Sequence, residues 1–131
     1  MKTENTRTNK HVLLSTLWVF ILLNMIYADI IGMLRPGYLE LLDQMSKLLD
    51  SGMVLTFSIL MEVPILMVLL SRTVERRINR IANFVAVPIS ILYVIFGGLD
   101  FPPVSYLFFA SFEIVAMFII LGVACKWKAE E

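Results

Sequence analysis

Apolar residues run almost unbroken through four stretches of the chain, and polar residues gather in the short segments between them. Val12–Leu34 is free of charge up to Asp29, Gly52–Ser71 contains only Glu62, Ile81–Leu99 contains none, and Phe101–Cys125 contains only Glu113. Each stretch has about 20 residues, the helix length that crosses a ~30 Å hydrocarbon layer. The pattern predicts an all-α membrane protein, a four-transmembrane-helix bundle in one domain over residues 1–131. The spans are expected at about 12–34, 53–72, 81–99 and 103–125. After the first span, Arg35-Pro36-Gly37 breaks the helix. Tyr38, Leu41, Leu42, Met45, Leu48 and Leu49 then recur at helical spacing among Glu40, Asp43, Gln44 and Lys47. This predicts a short amphipathic helix over about 38–50, lying in the membrane interface or acting as a lid on the bundle.

Composition agrees with that pattern: 59% of the 131 residues are hydrophobic and 17% are charged. Soluble domains hold roughly 45–50% apolar residues. The first apolar run is too long for a signal peptide and continues into Tyr27-Ala28-Asp29 rather than a cleavage pattern. Net charge is zero, so only its placement is informative. Lys2, Arg7 and Lys10 precede span one, Arg72, Arg76, Arg77 and Arg80 lie between spans two and three, and Lys126 and Lys128 follow span four. The positive-inside rule then places both termini in the cytoplasm. The arginine cluster is read as orientation and lipid contact, with no nucleic-acid partner expected.

Overlaying the spans raises a possible two-helix internal repeat. At an offset of 66, Trp18, Tyr27, Gly32 and Pro36 fall on Phe84, Tyr93, Gly98 and Pro102. At an offset of 51, Glu62-Val63 falls on Glu113-Ile114, and Leu70 on Leu121. Counting along the helices puts Asn24, Glu62, Ser90 and Glu113 near one depth at the bilayer midplane.

A charge at that depth costs roughly 2.5–3.5 kcal/mol on insertion scales. Glu62 and Glu113 are therefore expected to face each other, a polar cavity or a bound cation. Two adjoining carboxyls cannot both stay ionised, so the pair is expected to hold at least one proton. Asn24, Tyr27 and Ser90 would orient a ligand, with Pro64 and Pro88 freeing backbone carbonyls beside the site. Asp29 lies shallower, either snorkelling outward, lining the outer mouth or meeting a second subunit. The bland alternative is that these groups lock helices together by hydrogen bonds.

Other chemistry is poorly supplied. His11 and Cys125 each stand alone in their kind, and no phosphate loop or nucleophile motif is present. No cofactor and no metal site are expected, and the eight methionines are read as packing.

At NMIYADIIG, MEVPILMVLLSR and RRINRIAN the chain resembles a family of small bacterial four-span integral membrane proteins classed as a domain of unknown function. That resemblance implies a four-helix protein of the bacterial inner membrane and supplies no activity. More distantly, a four-helix bundle with buried carboxylates is similar in architecture to the sterol-isomerase and sigma-2-receptor group; fold likeness does not establish function. The leading expectation is transport or binding of a proton-coupled, cationic or small amphipathic ligand, with a homodimer enlarging the four-span pathway. The alternatives are an intramembrane acid/base enzyme on a lipidic substrate and a non-catalytic scaffold.

Overall fold

The computed structural model describes residues 9–97 and 104–128. Lys2, Arg7, Gly98 and Pro102 lie outside the described residues. Five helices occur among them: α1 Lys10–Gly32, α2 Tyr38–Leu48, α3 Ser51–Thr73, α4 Arg76–Gly97 and α5 Val104–Lys126. All but α2 are long and apolar enough to cross a membrane, and the chain is an integral membrane protein.

Local signals set the helix ends. The Asn9 side chain caps α1 by accepting from the His11 N–H at 2.8 Å, and Asp50 caps α3 by accepting from the Met53 N–H at 2.8 Å. Between α1 and α2 the chain turns at Gly37, whose φ of 79° favours a residue without a Cβ. Nothing crowds the position, so the backbone angle alone asks for glycine. The α2 helix buries no residue. Leu39, Leu42, Met45 and Leu48 are exposed on it, and Tyr38 and Leu41 are partly buried.

The four long helices form a ring. α1 packs against α3 and α5, α4 packs against the same two, and α1 lies diagonally from α4. The core follows a heptad rhythm. Leu14, Trp18, Ile21, Met25 and Ala28 are buried on α1 at alternating steps of four and three, facing Ala110, Glu113, Met117, Ile120 and Ala124 of α5. That 3.5-residue repeat is the seam of left-handed helix packing, and the alanines let the two backbones approach closely. The outward faces are apolar and contact the lipid bilayer.

The ring is uneven along its length. On α3 the sequence continues a heptad through Met53, Phe57, Leu60, Pro64, Met67 and Ser71, yet only the last three are buried. Every residue from Ser51 to Ile59 is exposed. From Leu60 onward α3 is therefore in the bundle, with Met61 and Val63 packed on the core, and residues 51–59 stand off. Pro64 has no N–H for the Leu60 carbonyl, which loosens the helix where the two parts meet. Met67→Ala is expected to cost about 2 kcal/mol, the low end of core truncations because lipid competes for apolar groups. Phe57→Ala should cost less than about 0.5 kcal/mol. Unfolding in mixed detergent micelles measures both; equal losses would mean that α3 packs along its whole length.

The halves that the repeat equates do not pack alike. Trp18 is buried where its counterpart Phe84 is exposed, and Glu113 is buried where Glu62 is exposed.

Candidate functional site

Glu113 occupies a core position of α5, three residues after Ala110 and four before Met117, and is 3% exposed. Among the described residues its carboxylate has neither a hydrogen-bond donor nor an ion-pair partner. Its electrostatic neighbour is another acid, Asp29 of α1. Both act in turn on two phenols, Tyr93 of α4 and Tyr106 of α5. The Tyr106 hydroxyl donates to the Val94 carbonyl and ties α5 to α4. Two acids and two tyrosines from three helices are thus within electrostatic reach of one another. Asp29 is exposed, four residues after the buried Met25 on the same flank of α1.

The expected midplane ring does not form within one chain. Glu62 is exposed, and at 3.6 residues per turn it points roughly 180° away from the buried Pro64, Met67 and Ser71. The whole stripe around it, Leu55, Ser58, Ile65 and Leu69, is exposed as well. Tyr27 is exposed and Asn24 half-buried; the Asn24 amide donates back to the Phe20 carbonyl at 2.8 Å. Glu62 and Glu113 therefore share a depth but not a direction. Ser90 is buried on α4, and among the described residues its hydroxyl has no partner. Pro88 is exposed on the same helix. Of the six expected site residues, the bundle holds Glu113 and Ser90 inside, with Asp29 as the electrostatic neighbour of Glu113; it turns Glu62 and Tyr27 outward and leaves Asn24 half-buried.

A second polar cluster closes the opposite, basic end. The Trp18 indole N–H donates to Asn83 Oδ1 at 2.8 Å across the diagonal from α1 to α4. The Asn83 amide donates to the carbonyl of Asn79 at 2.8 Å and to its side-chain oxygen at 2.7 Å, and the Asn79 amide donates to the Ser71 carbonyl of α3 at 2.8 Å. His11 Nδ1 lies 3.1 Å from that same carbonyl and 3.3 Å from Asn79 Nδ2. A protonated Nδ1 donates to the carbonyl, whereas a bare Nδ1 accepts from the amide, so the ring makes one bond or the other. Ser15 adds a bond to the Val68 carbonyl at 2.8 Å. Arg76 and Arg80 cap the end of α5 through the carbonyls of Trp127 and Ala124, at 2.9 and 2.7 Å. Trp127 in turn meets the edge of His11 at 4.8 Å. All four long helices are sewn together here.

The family model for a family of unknown function, DUF6326, matches residues 1–131. The chain belongs to DUF6326. Comparison with curated proteins and with solved structures gives no match. Activity in this DUF6326 chain therefore has to be argued from its own residues.

Sequence reasoning passed over Asn79, Asn83, Tyr93 and Tyr106. The first two stand four residues apart in RRINRIAN, and Ser90 follows seven residues after Asn83, so a heptad reading aligns all three. The same rhythm runs Tyr106, Ala110, Glu113, Met117, Ile120, Ala124, Trp127 on the last helix. A shallow cleft of about 430 Å³ also opens at the basic end, lined by His11, Arg72 and Glu75 among others. It lies on the clamp side and away from Glu113.

Proposed function

We propose that this DUF6326 protein binds a small cationic or amphipathic ligand at Glu113 and exchanges it for protons across the membrane. The carrying observation is the uncompensated acidic pair: Glu113 in a core position with Asp29 as its electrostatic neighbour. A buried carboxylate needs a countercharge or a proton, and this pair leaves that role to something from outside. Tyr93 and Tyr106 add aromatic faces that attract an organic cation. The access is the gap left by α3 before Leu60, and the clamp of Trp18, Asn83, Asn79 and His11 shuts the other end.

By the positive-inside rule the clamp faces the cytoplasm and the gap faces out. Closing the outer end of α3 about Pro64 would seat Met53 and Phe57 on the core, the counterpart of opening the clamp in an alternating carrier. Glu62, Asn24 and Tyr27 stand outside this site, and Ser90 lies deeper on its inner side.

The test is ethidium accumulation by proteoliposomes under an imposed pH gradient, read by fluorescence, with the dye recovered unchanged. Protons compete for the same carboxylates, so ethidium binding should weaken as pH falls. Glu113→Gln should lower transport at least tenfold, while Glu62→Gln leaves the binding step intact. Equal transport by wild type and Glu113→Gln would end this reading.

A further inference from the structure

Glu62 stands at the middle of α3, with eleven helical residues on either side (51–61 and 63–73). At 1.5 Å per residue that leaves roughly 16 Å to either end of the helix, beyond the reach of lipid headgroups. The face it occupies is exposed from Leu55 to Leu69. Other exposed or half-buried polar groups bond back to a carbonyl of their own helix: Asn24 to Phe20, Thr56 to Gly52, Ser58 to Val54, Thr73 to Leu69 and Ser111 to Leu107. Glu62 makes no such bond among the described residues, and lipid tails offer it none. It needs a hydrogen-bonding partner from outside the chain, at the depth of the bilayer midplane.

The geometry points to a second copy of this chain, packed on α3 through Leu55, Ser58, Glu62, Ile65 and Leu69 about a twofold axis along the membrane normal. Copies inserted by the same basic segments share one orientation. A twofold along the normal then brings each residue to the depth of its own counterpart. Glu62 meets Glu62, and the two side chains hydrogen-bond to each other across the axis. Ser58, one turn away, supplies a further hydroxyl on the same stripe, and Leu55, Ile65 and Leu69 pack around the pair. The outer end of α3, which stands off its own bundle, is then held by its counterpart. This seam lies on the face opposite the Glu113 site and does not depend on what that site binds.

The experiment is disulfide trapping in liposomes at high lipid-to-protein ratio, in a Cys125→Ser background so that the introduced thiol stands alone. Ser58→Cys and Ile65→Cys are expected to give dimer bands on mild oxidation. Phe20→Cys on α1 and Phe112→Cys on α5, both on other outward faces, should give at least fivefold less. Adding Glu62→Leu should lower trapping at Ser58→Cys at least threefold, whereas Glu62→Gln, whose carboxamides pair with each other, should keep most of it. The inference is overturned by monomers at all four positions, by equal trapping on the three helices, or by trapping that ignores Glu62→Leu. The first comparison leaves Glu62 intact, so it stands even where a Glu62 variant fails to fold.

Discussion

Glu113→Leu is expected to stabilise the fold and to remove ethidium binding. Leucine is larger than glutamate by about one methylene, and it suits a heptad position between Ala110 and Met117 on the seam with α1. The wild-type side chain places a carboxyl there without a donor among the described residues. The insertion cost of a charged group at the midplane is roughly 2.5–3.5 kcal/mol, and leucine does not incur it. A gain of about 1–3 kcal/mol in micellar unfolding is expected, together with loss of the dye.

The pairing of those outcomes decides between function and structure. A glutamate kept as a hydrogen-bonded lock between helices would make Glu113→Leu destabilising, because its partners would be left unsatisfied. A glutamate kept for a ligand makes the variant firmer and inert. Loss of stability would return the residue to the bland reading and remove the support for a carrier.

Depth was readable from the sequence and direction was not, and the two glutamates show why. Length and composition alone fix four spanning helices, since an apolar run of about 20 residues with at most one charge has few other uses. Counting from the helix ends then puts Glu62 and Glu113 near the midplane. Which way each points depends on the face, and in lipid both faces of a helix are apolar, so the amphipathic signal of a soluble helix is missing. LMEVPILM, residues 60–67, offers Leu60, Pro64 and Met67 as a heptad that steps past Glu62, whereas SFEIVAMF, residues 111–118, includes Glu113 in its own. The overlay of the two segments matched letters and not faces. The polar clamp was visible in principle, because Asn79 and Asn83 share a face of α4, but the arginines around them drew the reading toward orientation. The withdrawal of α3 before Leu60 had no comparable sign, as Met53 and Phe57 keep the heptad they do not use.

Trp18→Ala should have the largest destabilising effect in the molecule and should make the membrane leak. Trp18 is fully buried on α1, and its indole N–H holds Asn83 across the bundle diagonal. Truncation removes the packing of the whole ring system and leaves the Asn83 oxygen without its donor. Core Trp→Ala changes cost about 3–5 kcal/mol in soluble proteins; lipid as the competing solvent lowers the packing part, so about 3 kcal/mol is expected here. Trp18→Phe isolates the hydrogen bond, for which interhelical bonds in bilayers give about 0.6 kcal/mol and at most about 1.7. The functional readout separates clamp from core. If the basic end is the closed gate, Trp18→Ala opens a path beside Ser71, Asn79 and Ser90, whose buried polar atoms can hold water, and proteoliposomes should dissipate a pH gradient without any ligand. Trp18→Phe fills most of the same space and should stay tight. Leakage from neither variant, with the full loss of stability in Trp18→Ala, would make Trp18 a packing residue alone and place the gate elsewhere.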